Sequence, residues 1–130
     1  MQKLSELIGV GKRGNCTRTL SYDVAFAWHA NKATGSSSFS LSVSDTCLAA
    51  LRFLEDDRCD IFLDIENKTG MVTLCKTGDY ALSKNGSRRV IKISSVEPCE
   101  ALAQIFPRMG RQIVLERIAI HGRSITFRLP

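Results

Sequence analysis

Eighteen Lys and Arg and thirteen Asp and Glu carry most of the chemistry in this 130-residue chain, and they are spread unevenly along it. Residues 45–66 hold Asp45, Glu55, Asp56, Asp57, Asp60, Asp64 and Glu66 against Arg52 and Arg58, seven acids to two bases. Residues 84–130 hold nine bases against Glu97, Glu100 and Glu116. Within a net charge of +5 the chain is therefore dipolar. Such a layout steers a polyanion to one end, or pairs one copy's acidic end with another's basic end.

The basic half is the first candidate for function. Arg88, Val90 and Lys92 share one face of a predicted strand, opposite Ile91 and Ile93, and Lys84 precedes them in a turn. Arg108 and Arg111 flank a predicted helix end, and Arg123 and Arg128 lie on or beside the last strand. Flexible cations on a solvent face are what phosphate contacts need. A β-hairpin can also enter a major groove. The expected nucleic-acid-binding residues are thus Lys84, Arg88, Arg89, Lys92, Arg123 and Arg128, acting by phosphate neutralisation with weak sequence preference. No helix-turn-helix, zinc-knuckle or RNP-type aromatic pattern accompanies them, and the same residues also fit a merely solvated basic face.

Other chemistry finds less support. His29 and His121 each fall at a strand end or turn, with no spacing that asks for a Cys–His dyad. The acidic run from Asp56 to Glu66 lacks the glycine-containing loop pattern of a calcium site and reads as a solvated face. No phosphate-binding glycine loop and no G-x-S-x-G stretch occurs, so neither an enzyme nor a cofactor or metal site is expected. The alternative function is a protein-binding or self-assembling accessory protein using the charge dipole. The row Ser36, Ser38, Ser40 and Ser42 offers an uncharged strand face that would suit pairing if it lay at an edge.

Five cysteines, Cys16, Cys47, Cys59, Cys75 and Cys99, are an odd number with no C-x-x-C pair. They read as buried apolar thiols in a reducing compartment. The longest apolar run, Val24 to Trp28, is far below the ~20 residues a spanning helix needs. The N-terminus lacks a secretory hydrophobic region. A cytoplasmic protein with no membrane contact is the expectation.

The elements that must position these residues follow from periodicity. Residues 1–15 read as a flexible arm, with Lys12 and Arg13 among Gly9, Gly11 and Gly14. Residues 19–28 alternate with period two, as do Phe39, Leu41 and Val43 with the serines, predicting a hairpin turned at Asn31 to Ser36. Ser44 or Asp45 caps a helix predicted over about 45–55. Strands are predicted at Ile61 to Ile65, Met71 to Lys76, Tyr80 to Ser83 and Arg88 to Ser94, with a type I′ turn at Asn85-Gly86. A second helix starts near Pro98 and stops at Pro107, before strands Ile113 to Ile120 and Ser124 to Leu129.

The order ββαββ thus appears twice. Leu41 matches Ile91, Leu51 matches Leu102, Ile61 matches Ile113 and Val72 matches Ile125, which suggests internal repeats at 36–76 and 87–129. Shared periodicity alone gives the same alignment. The fold class expected is α+β: one domain over 16–130, an antiparallel sheet of about eight strands with two helices on one face, and tandem ββαββ duplication.

Overall fold

A computed structural model of the protein describes residues 22–30 and 37–130. The expected arm, residues 1–15, and the turn at Asn31 to Ser36 lie outside the described residues.

The alternating segments form strands as their periodicity requires. β1 (Val24–Ala30) pairs antiparallel with β2 (Ser37–Ser44), Phe26 facing Leu41 and Trp28 facing Phe39. Ser44 then caps α1 (Asp45–Ala50), accepting the Cys47 N–H at 3.2 Å. The helix is shorter than expected, ending in a left-handed residue, Arg52 (φ 58°). β3 (Arg58–Asp64) and β4 (Thr69–Cys75) form the next hairpin. β5 (Tyr80–Ala81), β6 (Ser83–Asn85) and β7 (Arg88–Ile93) follow. α2 (Val96–Ala103) leads to β8 (Ile113–Leu115), β9 (Arg117–His121) and β10 (Ser124–Arg128). In the β6–β7 turn the residue with positive φ is Gly86 (φ 62°), the first of the two residues between the paired Asn85 and Arg88. Glycine at the first central position makes this a II′-like turn rather than the expected I′.

The architecture corrects the expected fold class. Strands take 51% of the described residues and helices 14%, in two antiparallel five-stranded sheets with two short helices. Sheet A runs β6-β7-β2-β1-β8 and sheet B runs β5-β3-β4-β10-β9. The α+β layering of one eight-stranded sheet under two helices does not form, because six- and eight-residue helices offer too little apolar surface. Alternation of period two says that one face of a strand is covered, not whether a helix or another sheet covers it. Here the inward rows of both sheets cover each other. Phe26, Phe39, Leu41, Val43 and Ile91 of sheet A join Cys59, Val72, Leu74, Ile125 and Phe127 of sheet B in one buried cluster.

Two runs carry the chain between sheets. β5 and β6 are separated only by buried Leu82, β8 and β9 only by Glu116, and each run pairs with sheet A at one end and sheet B at the other. Strands that switch sheets make the corners of a sandwich and leave short edges.

Leu41 lies directly opposite Ile91 across β2–β7, and Val72 opposite Ile125 across β4–β10. Ile61 and Ile113, matched in the sequence, lie on different sheets, in β3 and β8. Ile61 faces Val72, and Ile120 faces Ile125. The serine row is corrected too. β2 is the middle strand of sheet A, and Ser40, Ser42 and Ser44 are buried on it.

Candidate functional site

The six expected cations separate into two kinds of environment. Four are engaged with carboxylates. Lys84 pairs with Asp45, Arg89 with Glu55 (2.9 Å), Arg123 with Asp57, and Arg128 with Glu116 (3.3 Å). Arg89 is also stacked over Phe53, its guanidinium carbon 4.6 Å from the ring centroid. Arg123 and Arg128 belong to the sheet B end of the sandwich, remote in topology from Lys84 to Lys92 on sheet A. Arg88 and Lys92 alone share an outward face without a carboxylate partner among the described residues, opposite Ser44 and Ser40 of β2.

That face contains a bowl of about 340 Å³. Its floor is made by small side chains in cross-strand register: Ala27 opposite Ser40, and Ser42 opposite Val90. The small side chains let Arg88 lie across the sheet. From β7 its Nη1 donates to Tyr22 Oη (3.3 Å) and to Gln112 Oε1, just before β8 on the far side. Asn85, Arg111 and His29 complete the rim. The buried serines are satisfied by backbone: Ser42 donates to the Ala25 carbonyl at 3.3 Å and Ser40 to that of Ala27 at 3.4 Å. Trp28 projects to the other side, donating to the Phe106 carbonyl (3.0 Å), and Arg108 lies 5.0 Å from its ring centroid.

The electrostatics of the bowl are one-signed. Arg88 and Arg111 are its charged lining groups, beside the imidazole of His29, and no carboxylate lines it among the described residues. Guanidinium, imidazole, hydroxyl and amide N–H groups around one concavity suit an anion with several acceptor oxygens. The acids are elsewhere. Lys76 holds Asp56 below the usual carboxylate range by a direct hydrogen bond, and Asn67 does the same for Asp64. Both lie on the sheet B side of the chain, where Asp60 accepts the Asp79 N–H (2.8 Å).

Nucleophilic chemistry is weakly equipped. His29 Nε2 is 3.1 Å from Ser40 Oγ, but no carboxylate hydrogen-bonds the imidazole among the described residues. Three of the thiols are held in the protonated, weakly nucleophilic form. Burial pushes Cys47 and Cys59 up to about 12, and burial and then Asp60 raise Cys75. Among the described residues no group of three His, Cys, Asp or Glu could hold a metal, and no helix is long and apolar enough to cross a membrane.

Sequence reading missed His29, Ser40, Asn85 and Gln112 as one constellation and placed Arg111 only at a helix end. The one available signal was the run of small residues at Ala25, Ala27, Ser38, Ser40 and Ser42 on adjacent strands, which leaves a long side chain room to cross a sheet. Comparison with protein-family models, curated proteins and solved structures gives no match. The site must be read from its own chemistry.

Proposed function

We propose that the protein is a non-catalytic binding module that takes nucleic-acid phosphates on the outer face of sheet A. The observation that carries this reading is the bowl lined by Arg88, Arg111 and His29, with no carboxylate among its described lining residues. Arg88 is held by Tyr22 and Gln112, so little rotamer entropy remains for a ligand to remove. Lys92, exposed on the same face, adds a flexible cation. Adjacent strands are about 4.8 Å apart, so β7 to β1 spans about 10 Å, the width of one sugar-phosphate backbone. The cations engaged with Asp45, Glu55, Asp57 and Glu116 contribute less, since a phosphate would have to displace a carboxylate already in place. The free thiols fit a reducing, cytoplasmic setting.

Retention of a labelled oligonucleotide, single-stranded and duplex, at graded salt tests the reading. Each phosphate neutralised contributes a slope of about 0.7–0.9 in log K against log salt. Arg88→Ala with Arg111→Ala is expected to flatten the slope by roughly 1.4–1.8, while Arg128→Ala leaves it nearly unchanged. No retention at low salt, or a slope indifferent to the double substitution, overturns the reading.

A second reading, a self-assembling or protein-binding accessory protein, is favoured by the outer face of sheet B. There Phe62, 52% exposed, sits between Asp60 and Asp64, opposite in sign to the face of sheet A. Sedimentation at two salt concentrations separates the two. A salt-sensitive oligomer indifferent to oligonucleotide favours assembly, and a monomer that gains mass only with oligonucleotide favours phosphate binding.

A further inference from the structure

We infer that the sandwich carries a second, apolar binding site between its sheets beneath α2, sized for a single substituted ring or a chain of about six carbons. It is independent of the phosphate reading, because none of its residues lines the bowl.

The site arises where strand pairing runs out. β5 pairs with β3 only at Arg58 and Cys59, and β6 pairs with β7 only as far as Val90. Among the described residues no strand lies between Asp60–Asp64 of β3 and Ile91–Ile93 of β7, and α2 lines the opening with Ala101 and Leu102. The resulting cavity of about 220 Å³ is walled by Phe39 and Ile93 from sheet A, Ile61 and Leu63 from sheet B, and Ala101 and Leu102 from α2. Among its described lining residues only Tyr80 carries a polar side-chain atom.

The two ends of the β2–β7 pair are filled differently. The pair Phe39–Ile93 lies on the α2 side of Leu41–Ile91 and the pair Val43–Arg89 on the α1 side. On the α1 side the volume is taken up. Cys47, Leu48 and Leu51 are at most 3% exposed, and Arg89 packs on Phe53. On the α2 side only Cys99 of the helix is buried, and Val96 is 67% exposed. A helix with weaker purchase on the sheets thus roofs the apolar space. An apolar cavity of about 150 Å³ stays dry and admits benzene. The space beneath α2 is somewhat larger, and it is below the roughly 300 Å³ at which drug-sized ligands begin.

Methyl-labelled protein titrated with toluene, and separately with hexanoate, tests this by NMR. The methyls of Ile61, Leu63, Ile93 and Leu102 are expected to shift and saturate with at least one probe. A response to hexanoate alone assigns an acyl tail, and a response to toluene a ring. Ala101→Phe fills the cavity from the helix and Leu63→Phe from sheet B, and each is expected to weaken binding by at least about tenfold. Val96→Ser, outside the cavity, leaves it unchanged. Absence of a saturable response to both probes in the native chain, or binding untouched by both filling substitutions in variants whose spectra remain folded, overturns the inference.

Discussion

Replacing Arg123 by Met gives the sharpest energetic prediction. The Asp57 side chain is fully buried, and its Oδ2 accepts the Leu54 N–H at 2.7 Å and the Arg123 guanidinium. Its Oδ1 is buried without a hydrogen-bond partner among the described residues. Arg123 also donates to the Arg52 carbonyl, so one side chain from the β9–β10 turn ties down the connection between α1 and β3. Removing one member of a buried ion pair typically costs about 3–5 kcal/mol, because the other charge is left uncompensated. Arg123 is 34% exposed, so water already screens one side, and the lower end, about 3 kcal/mol, is expected. The double variant Asp57→Asn with Arg123→Met carries no orphaned charge and should recover a large part of that loss. Urea unfolding at pH 7, with slopes compared between variants, measures both. A loss below about 1 kcal/mol for Arg123→Met, or a double variant no more stable than the single one, would refute the reasoning.

Three further outcomes follow from local geometry. Ser44→Ala should cost about 1 kcal/mol by removing the α1 cap, whereas Ser95→Ala, whose side chain makes no capping bond at α2, should cost little; thermal unfolding compares them. Gly70→Ala places a Cβ 2.5 Å from buried Phe127 and should cost about 1–3 kcal/mol, while Gly110→Ala meets nothing within 4 Å and should be near neutral. Cys47 and Cys59 keep their protons to about pH 12 in the folded state and lose them near 9 when unfolded, so their contribution to stability is complete below pH 9 and fades between 9 and 12. Iodoacetamide should accordingly label both thiols in urea and spare both in native protein at pH 8, as counted by mass spectrometry.

What the sequence revealed, and what it concealed, follows from the range of each interaction. The β1–β2 hairpin and the Ser44 cap depend on neighbours along the chain, and alternation or residue type announces them. The sandwich depends on what covers the apolar rows, and Leu41 or Ile125 reads the same under a helix or under a sheet. Ser40 and Ser42 resemble surface residues because hydroxyls usually face water. Here the Ala27 and Ala25 carbonyls accept from them and the strand is buried on both faces. The charge dipole was a statement about segments, and the fold folds segments back on each other. Lys84 finds its carboxylate 39 residues away, Arg89 34 and Arg123 66. The basic stretch therefore divides into cations held by acids and a smaller set around the bowl, a division no composition can express.

Mapping an oligonucleotide onto the protein by amide chemical shifts tests the central claim most directly. Added at low salt, a short single strand is expected to perturb the backbone and side-chain N–H signals of His29, Ser40, Asn85, Arg88, Arg111 and Gln112, and to leave those of Arg123 and Arg128 in place. Perturbations centred on the β9–β10 turn, or a spectrum that does not change at saturating oligonucleotide, would contradict it.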